Sequence, residues 1–148
     1  MPAGLGLHPY FVAGPDSRLR FSSLWLWQCD GDQLPTHRDD PARLADWEAG
    51  ASGRQPRLID HCYTGWRGNA VLSAPAGEII LAARGAHSIH IHIPPGAGII
   101  GLEPVTQVPD AVNRPESATE TGLRILDPGQ SLSLSMSITV LQGRFQQG

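Results

Sequence analysis

In QSLSLSMSITV, residues 130–140, hydroxyl and apolar side chains alternate. Ser131, Ser133, Ser135, Ser137 and Thr139 take one parity, and Leu132, Leu134, Met136, Ile138 and Val140 the other. Period-two alternation places one set on each face of a β-strand. Asp127-Pro128-Gly129 just upstream has turn chemistry, and GLRIL at 122–126 is a short strand before it, so the two runs are expected to pair as a hairpin. SRLRF, LWLWQ, AVLSA, EIILAA, SIHIHI and GIIGL are further short runs bounded by Gly, Pro, Asp or Asn. Many short strands at close intervals predict an all-β sandwich or barrel. One helix is expected between strands: Asp40 can cap it, Pro41 suits its first position, Leu44 and Trp47 lie three apart, and Gly50 can end it in the left-handed region.

A chain of 148 residues suffices for a single domain, 1–148, with a real core. Its 17 glycines and 13 prolines fit a turn-rich β architecture. Charge narrows the partners. The net −3 is small and its charges are scattered, so there is no phosphate-tracking stripe and nucleic acid is not expected as a partner. No apolar run approaches the roughly 18 residues that span a bilayer, and no basic region precedes the first apolar residues, so the expected location is soluble and cytoplasmic, away from membranes. Cys29 and Cys62 lack CxxC spacing and read as free thiols in a reducing compartment.

HSIHIHI supplies His87, His90 and His92. By strand parity His90 and His92 share a face, a geometry that metal sites use, while His87 falls on the other. The next acid is Glu103, beyond a Pro-Pro-Gly turn. The pair is therefore read first as a polar or partly buried strand face, with a small metal-binding β-barrel as the alternative. Glu103 ends an apolar run and precedes Pro104; His8 precedes Pro9 in GLGLHPYF. A residue before proline is held in the extended region, which preorganises the two titratable side chains as candidate base and acid. Either one alone reads equally as an ordinary strand end.

GLGLHPYF, LIDHCYTGWRGNAVLSAP, GLEPVTQVPDAVN and TGLRILDPGQSLSLSMSI occur in the order and approximate spacing of the aldose 1-epimerases, or galactose mutarotases. The resemblance runs from about Gly4 to about Val140. It implies a galactose mutarotase-like β-sandwich, of the kind called a supersandwich, here a partial one that matches the C-terminal half of a family about twice as long. It implies interconversion of the α and β anomers of free aldoses such as glucose or galactose, with no metal or other cofactor. Carried over by motif, Glu103 resembles the general base, His8 the general acid, and Asp60 the carboxylate that binds sugar hydroxyls. The family's other half carries a second active-site histidine and a substrate-binding arginine, so a non-catalytic carbohydrate-binding remnant is the alternative. The partners expected are a monosaccharide and either a second copy of the chain or a separately encoded N-terminal half.

Physical reasoning adds neighbours. Trp66, close to Asp60, has a flat apolar face suited to a pyranose and is equally suited to a core. Tyr10 and Phe11 are expected to wall the pocket beside His8. His61 should point away from Asp60 by strand parity. Asp110 and Asn113 are expected to order the turn after Glu103.

Overall fold

The structure, a computed structural model, describes residues 1–143. Its strands run β1 (Pro2–Ala3), β2 (Tyr10–Val12), β3 (Arg18–Phe21), β4 (Trp25–Cys29), β5 (Pro35–Asp39), β6 (Ala51–Ser52), β7 (Ile59–Thr64), β8 (Asn69–Ala74), β9 (Gly77–Arg84), β10 (Ser88–Ile93), β11 (Ile99–Val105), β12 (Arg124–Ile125) and β13 (Ser135–Gln142). They form a six-stranded sheet in the order β2-β11-β10-β7-β4-β5, a five-stranded sheet in the order β13-β9-β8-β3-β6, and a β1-β12 ribbon. Every pairing is antiparallel. The architecture is the all-β sandwich that the alternating runs predict.

Alternation explains how the six-stranded sheet serves two purposes. On β10, Ile89, Ile91 and Ile93 are buried in a core shared with Ile100 and Leu102 of β11 and with Leu19, Leu72 and Leu81 of the other sheet. Because successive side chains leave a strand on opposite faces, His90 and His92 must emerge on the side away from that core. The far face is partly roofed by the chain beyond β11, where Val108 and Ala111 pack on Trp27 and Cys62. What that roof leaves uncovered is the candidate site.

Three local expectations need correction. The hairpin does not form: β12 pairs with β1, and β13 pairs along its whole length with β9, from Ser135 opposite Arg84 to Gln142 opposite Gly77. The turn between them is real, with the Gln130 amide donating to the Asp127 carbonyl at 3.0 Å, but the long-range ladder offers far more pairing than a two-residue neighbour can. The alternation in QSLSLSMSITV is accordingly strand only from Ser135. The expected helix shrinks to one 3-10 turn, Pro41–Arg43, with Asp40 Oδ1 accepting from the Ala42 amide at 2.8 Å. Trp47 reaches the core without it, stacking on Phe21 at 5.5 Å and donating from its indole N–H to the Tyr63 hydroxyl at 3.0 Å. A helix this short carries its nucleation cost with little propagation to offset it, and the aromatic packing decides instead.

Candidate functional site

Three adjacent strands bring their polar side chains to one place. In the sheet register His92 of β10 stands opposite Asp60 of β7 on one side and Gly101 of β11 on the other, and His90 stands opposite Glu103. Asp60, His90, His92 and Glu103 therefore share the face turned away from the core. Both oxygens of Asp60 are engaged: Oδ1 lies 2.7 Å from Nε2 of His90, and Oδ2 lies 3.1 Å from Nδ1 of His92. Burial alone would raise the Asp60 pKa, but the His90 hydrogen bond and the charges of His90 and His92 outweigh it and hold the carboxyl below its ordinary value.

Glu103 meets the fifth member. Its Oε2 lies 3.1 Å from Nε2 of His8, in the segment leading into β2. That segment is fastened to β11 on both sides of the histidine: the Leu7 amide donates to the Pro104 carbonyl at 2.9 Å, and the Leu102 amide donates to the Pro9 carbonyl at 3.2 Å. With Pro9 and Pro104 restricting the residues before them, the backbones under His8 and Glu103 have little freedom left. Burial raises the Glu103 pKa, the charges of His90, His8 and His92 pull against it, and the net direction is upward.

Tyr10 completes a row of rings, 5.1 Å from His8 and 6.1 Å from His92 between centroids. Gly101 gives the carboxylate its seat: a Cβ there would stand 2.7 Å from Oε1 of Glu103 and 3.3 Å from Cβ of His92. The site thus pairs a buried carboxylate of raised pKa with a histidine open to solvent. Beside them stands a second carboxylate, held ionised and able to accept further hydrogen bonds.

Of the residues that sequence reasoning named, His8, Tyr10, Asp60 and Glu103 converge here. Trp66 does not: it is 6% exposed in the core between the sheets, with its indole N–H donating to the Asn69 carbonyl at 2.8 Å. Phe11, next in chain to Tyr10, turns the other way and packs against that core, as strand parity requires. His61 stays out of the cluster and accepts the Cys29 amide on Nδ1 at 3.0 Å. Asn113 donates to Asp110 Oδ1 at 2.5 Å, which orders the turn. His90 and His92 are the members that sequence reasoning left outside the acid and base set. Their shared parity is visible in the sequence; their partner Asp60 depends on the register of a distant strand. Among the described residues no group of three or more His, Cys, Asp or Glu side chains stands where it could hold a metal ion.

Residues 1–139 match the aldose 1-epimerase family, and the chain belongs to it. The uncharacterized protein YphB of Escherichia coli K12 is 30% identical over 161 residues, covering 95% of this chain and 51% of YphB. The crystal structure of a candidate aldose 1-epimerase from the same organism is 25% identical and superposes with a TM-score of 0.82 over 96% of this chain and 51% of that one. A galactose mutarotase-like protein from Clostridium acetobutylicum, 16% identical, shares the fold with a TM-score of 0.78 over 97% of this chain and 48% of that one. The chain thus spans about half the length of these relatives.

Proposed function

We propose that this member of the aldose 1-epimerase family is a mutarotase, interconverting the α and β anomers of a free aldose such as glucose or galactose. Glu103 takes the proton of the anomeric hydroxyl. As that oxygen's electrons form the C1 carbonyl, the bond from C1 to the ring oxygen breaks, and His8 delivers a proton to the ring oxygen. Rotation about C1–C2 in the open aldehyde, followed by the reverse transfers, closes the ring on its other face.

The observation that carries this reading is the 3.1 Å contact between His8 and Glu103. The anomeric and ring oxygens are borne by the same carbon, so their acid and base must work side by side, and a pair in direct contact is placed to serve both. A glutamate with its pKa raised above the ordinary value is also the stronger base. Asp60, its orientation fixed by His90 and His92, accepts the hydroxyls that hold the sugar. Tyr10 offers an apolar ring edge and face beside His8.

Polarimetry of freshly dissolved α-D-glucose and α-D-galactose tests the proposal. The chain should accelerate the approach to anomeric equilibrium saturably, and a rate equal to the buffer's would overturn it. A second reading, carbohydrate binding without turnover, is favoured by the openness of the site on one side, where the His8 side chain is 65% exposed and Tyr10 is 45% exposed. Sugar binding with anomeric equilibration no faster than in buffer would select that reading.

A further inference from the structure

The cleft that Glu103 and His90 enter continues past the end of β11 to Gln107, with a volume of about 330 Å³. Its facing wall is Gly4–Leu5–Gly6, and that wall is pinned. The Leu5 amide donates to Thr106 Oγ1 at 2.9 Å, the Thr106 amide donates to the Leu5 carbonyl at 2.9 Å, and Gly6 bridges to Val105. The two glycines keep the wall thin: a Cβ on Gly4 would overlap the Gln107 carboxamide, which lies flat against it.

In this otherwise satisfied surrounding, Gln107 Oε1 is buried and has no hydrogen-bond partner among the described residues. Asp110, which lines the same end of the cleft, has its Oδ1 taken by Asn113. An unpaired buried acceptor is uncommon in folded proteins and calls for a donor. The terminal torsion of glutamine is soft, so a small rotation turns the amide from the Gly4 wall into the cleft.

Building on the mutarotase reading, we infer that Gln107 is a sugar-recognition residue. Its amide receives a hydroxyl of the aldose on the side of the ring remote from the anomeric carbon, while Glu103 and His8 hold the reacting end. A sugar hydroxyl is the fitting ligand because it both donates to Oε1 and accepts from Nε2. Gln107 then governs binding and selectivity among aldoses rather than the chemical step.

The test is Gln107→Met, which keeps length and removes both polar atoms. With D-glucose and D-galactose, KM should rise about tenfold, the loss of one neutral hydrogen bond, with kcat changed less than twofold. The melting temperature should hold or rise, because an unpaired amide is being removed. An unchanged KM, a fall in kcat alone, or a lowered melting temperature would each overturn the inference, the last by making Gln107 structural. NMR titration with D-galactose separates this from failure of the mutarotase reading. If the parent shows no turnover yet binds galactose and Gln107→Met does not, recognition by Gln107 stands and the catalytic reading falls. If the parent binds no sugar, both fall.

Discussion

His8 and Glu103 touch at 3.1 Å from opposite environments, the histidine side chain 65% exposed and the glutamate side chain 9% exposed. A hydrogen bond that joins a solvent-facing ring to a buried carboxylate can exchange its outer partner without disturbing the inner one. A sugar entering from the His8 side would meet the proposed acid first and then the proposed base.

Glu103→Gln removes the proposed base while keeping shape. Turnover should fall by about 10² to 10⁴, the usual contribution of a general base. Stability near neutral pH should hold or improve slightly, since burial already disfavours the ionised form. His8→Gln should lose turnover comparably. Polarimetry with thermal melts checks both, and parental turnover in either variant would remove that residue from the mechanism.

Gly101→Ala probes the seat of the carboxylate without altering any ionisable group. The new Cβ would stand 2.7 Å from Glu103 Oε1, so the carboxylate has to leave the position in which its Oε2 meets His8. Turnover should drop by about tenfold or more, as a misplaced catalytic group predicts, while circular dichroism remains that of the parent. Unimpaired turnover would mean that the observed Glu103 position is not the working one.

These relationships show where the sequence was legible. Alternation in SIHIHI separates the core isoleucines from the two histidines, and the proline after each of His8 and Glu103 marks the constrained pair. Whether His90 and His92 face water, a metal or a carboxylate depends on β7 lying beside β10 in one particular register, a pairing across some thirty positions that no local pattern encodes. The same limit misled the expected hairpin, where turn chemistry at Asp127 is genuine but the partner of β13 is β9. Trp66 had two suitable destinations, and only the packing between the sheets decides for the core.

The acid limb of the pH profile follows from the direction of the Glu103 shift. If Glu103 is the base, activity requires its ionised form, and burial sets its pKa above the ordinary carboxylate value, so kcat/KM should begin to fall at a higher pH than an exposed glutamate would give. His90 exerts the largest opposing pull. His90→Asn should therefore move the limb to still higher pH, and a limb that stayed or moved down would contradict the electrostatic account. Stability carries the opposite signs for the two carboxyls. The folded protein binds the Glu103 proton more tightly than the unfolded chain, so that contribution is lost as pH rises from the ordinary carboxylate value through the raised one. Asp60, held low, contributes stability above the ordinary value that is lost as pH falls through its lowered one.

The last prediction concerns β13, an edge strand of the five-stranded sheet. Ile138 lies opposite the fully buried Leu81 in the register, yet it is 44% exposed, and Val140, two residues on, is 67% exposed. The inward-facing row of the sheet thus continues beyond the core that covers it. Among the described residues nothing pairs with this edge or covers its apolar face, which makes it a template for another chain. A second copy of this chain supplies an identical edge, and antiparallel pairing of β13 with itself about a two-fold axis would satisfy both. Sedimentation velocity at micromolar concentration should show a dimer, and Val140→Lys should shift it toward monomer by placing a charge in the row. Asp60, His8, His90 and Glu103 belong to the other sheet and its approach segment, so the same variant should retain the sugar affinity of the parent. A parent chain that sediments as a compact monomer, or that associates only with a separate protein carrying the other half of the family's length, would overturn the self-pairing.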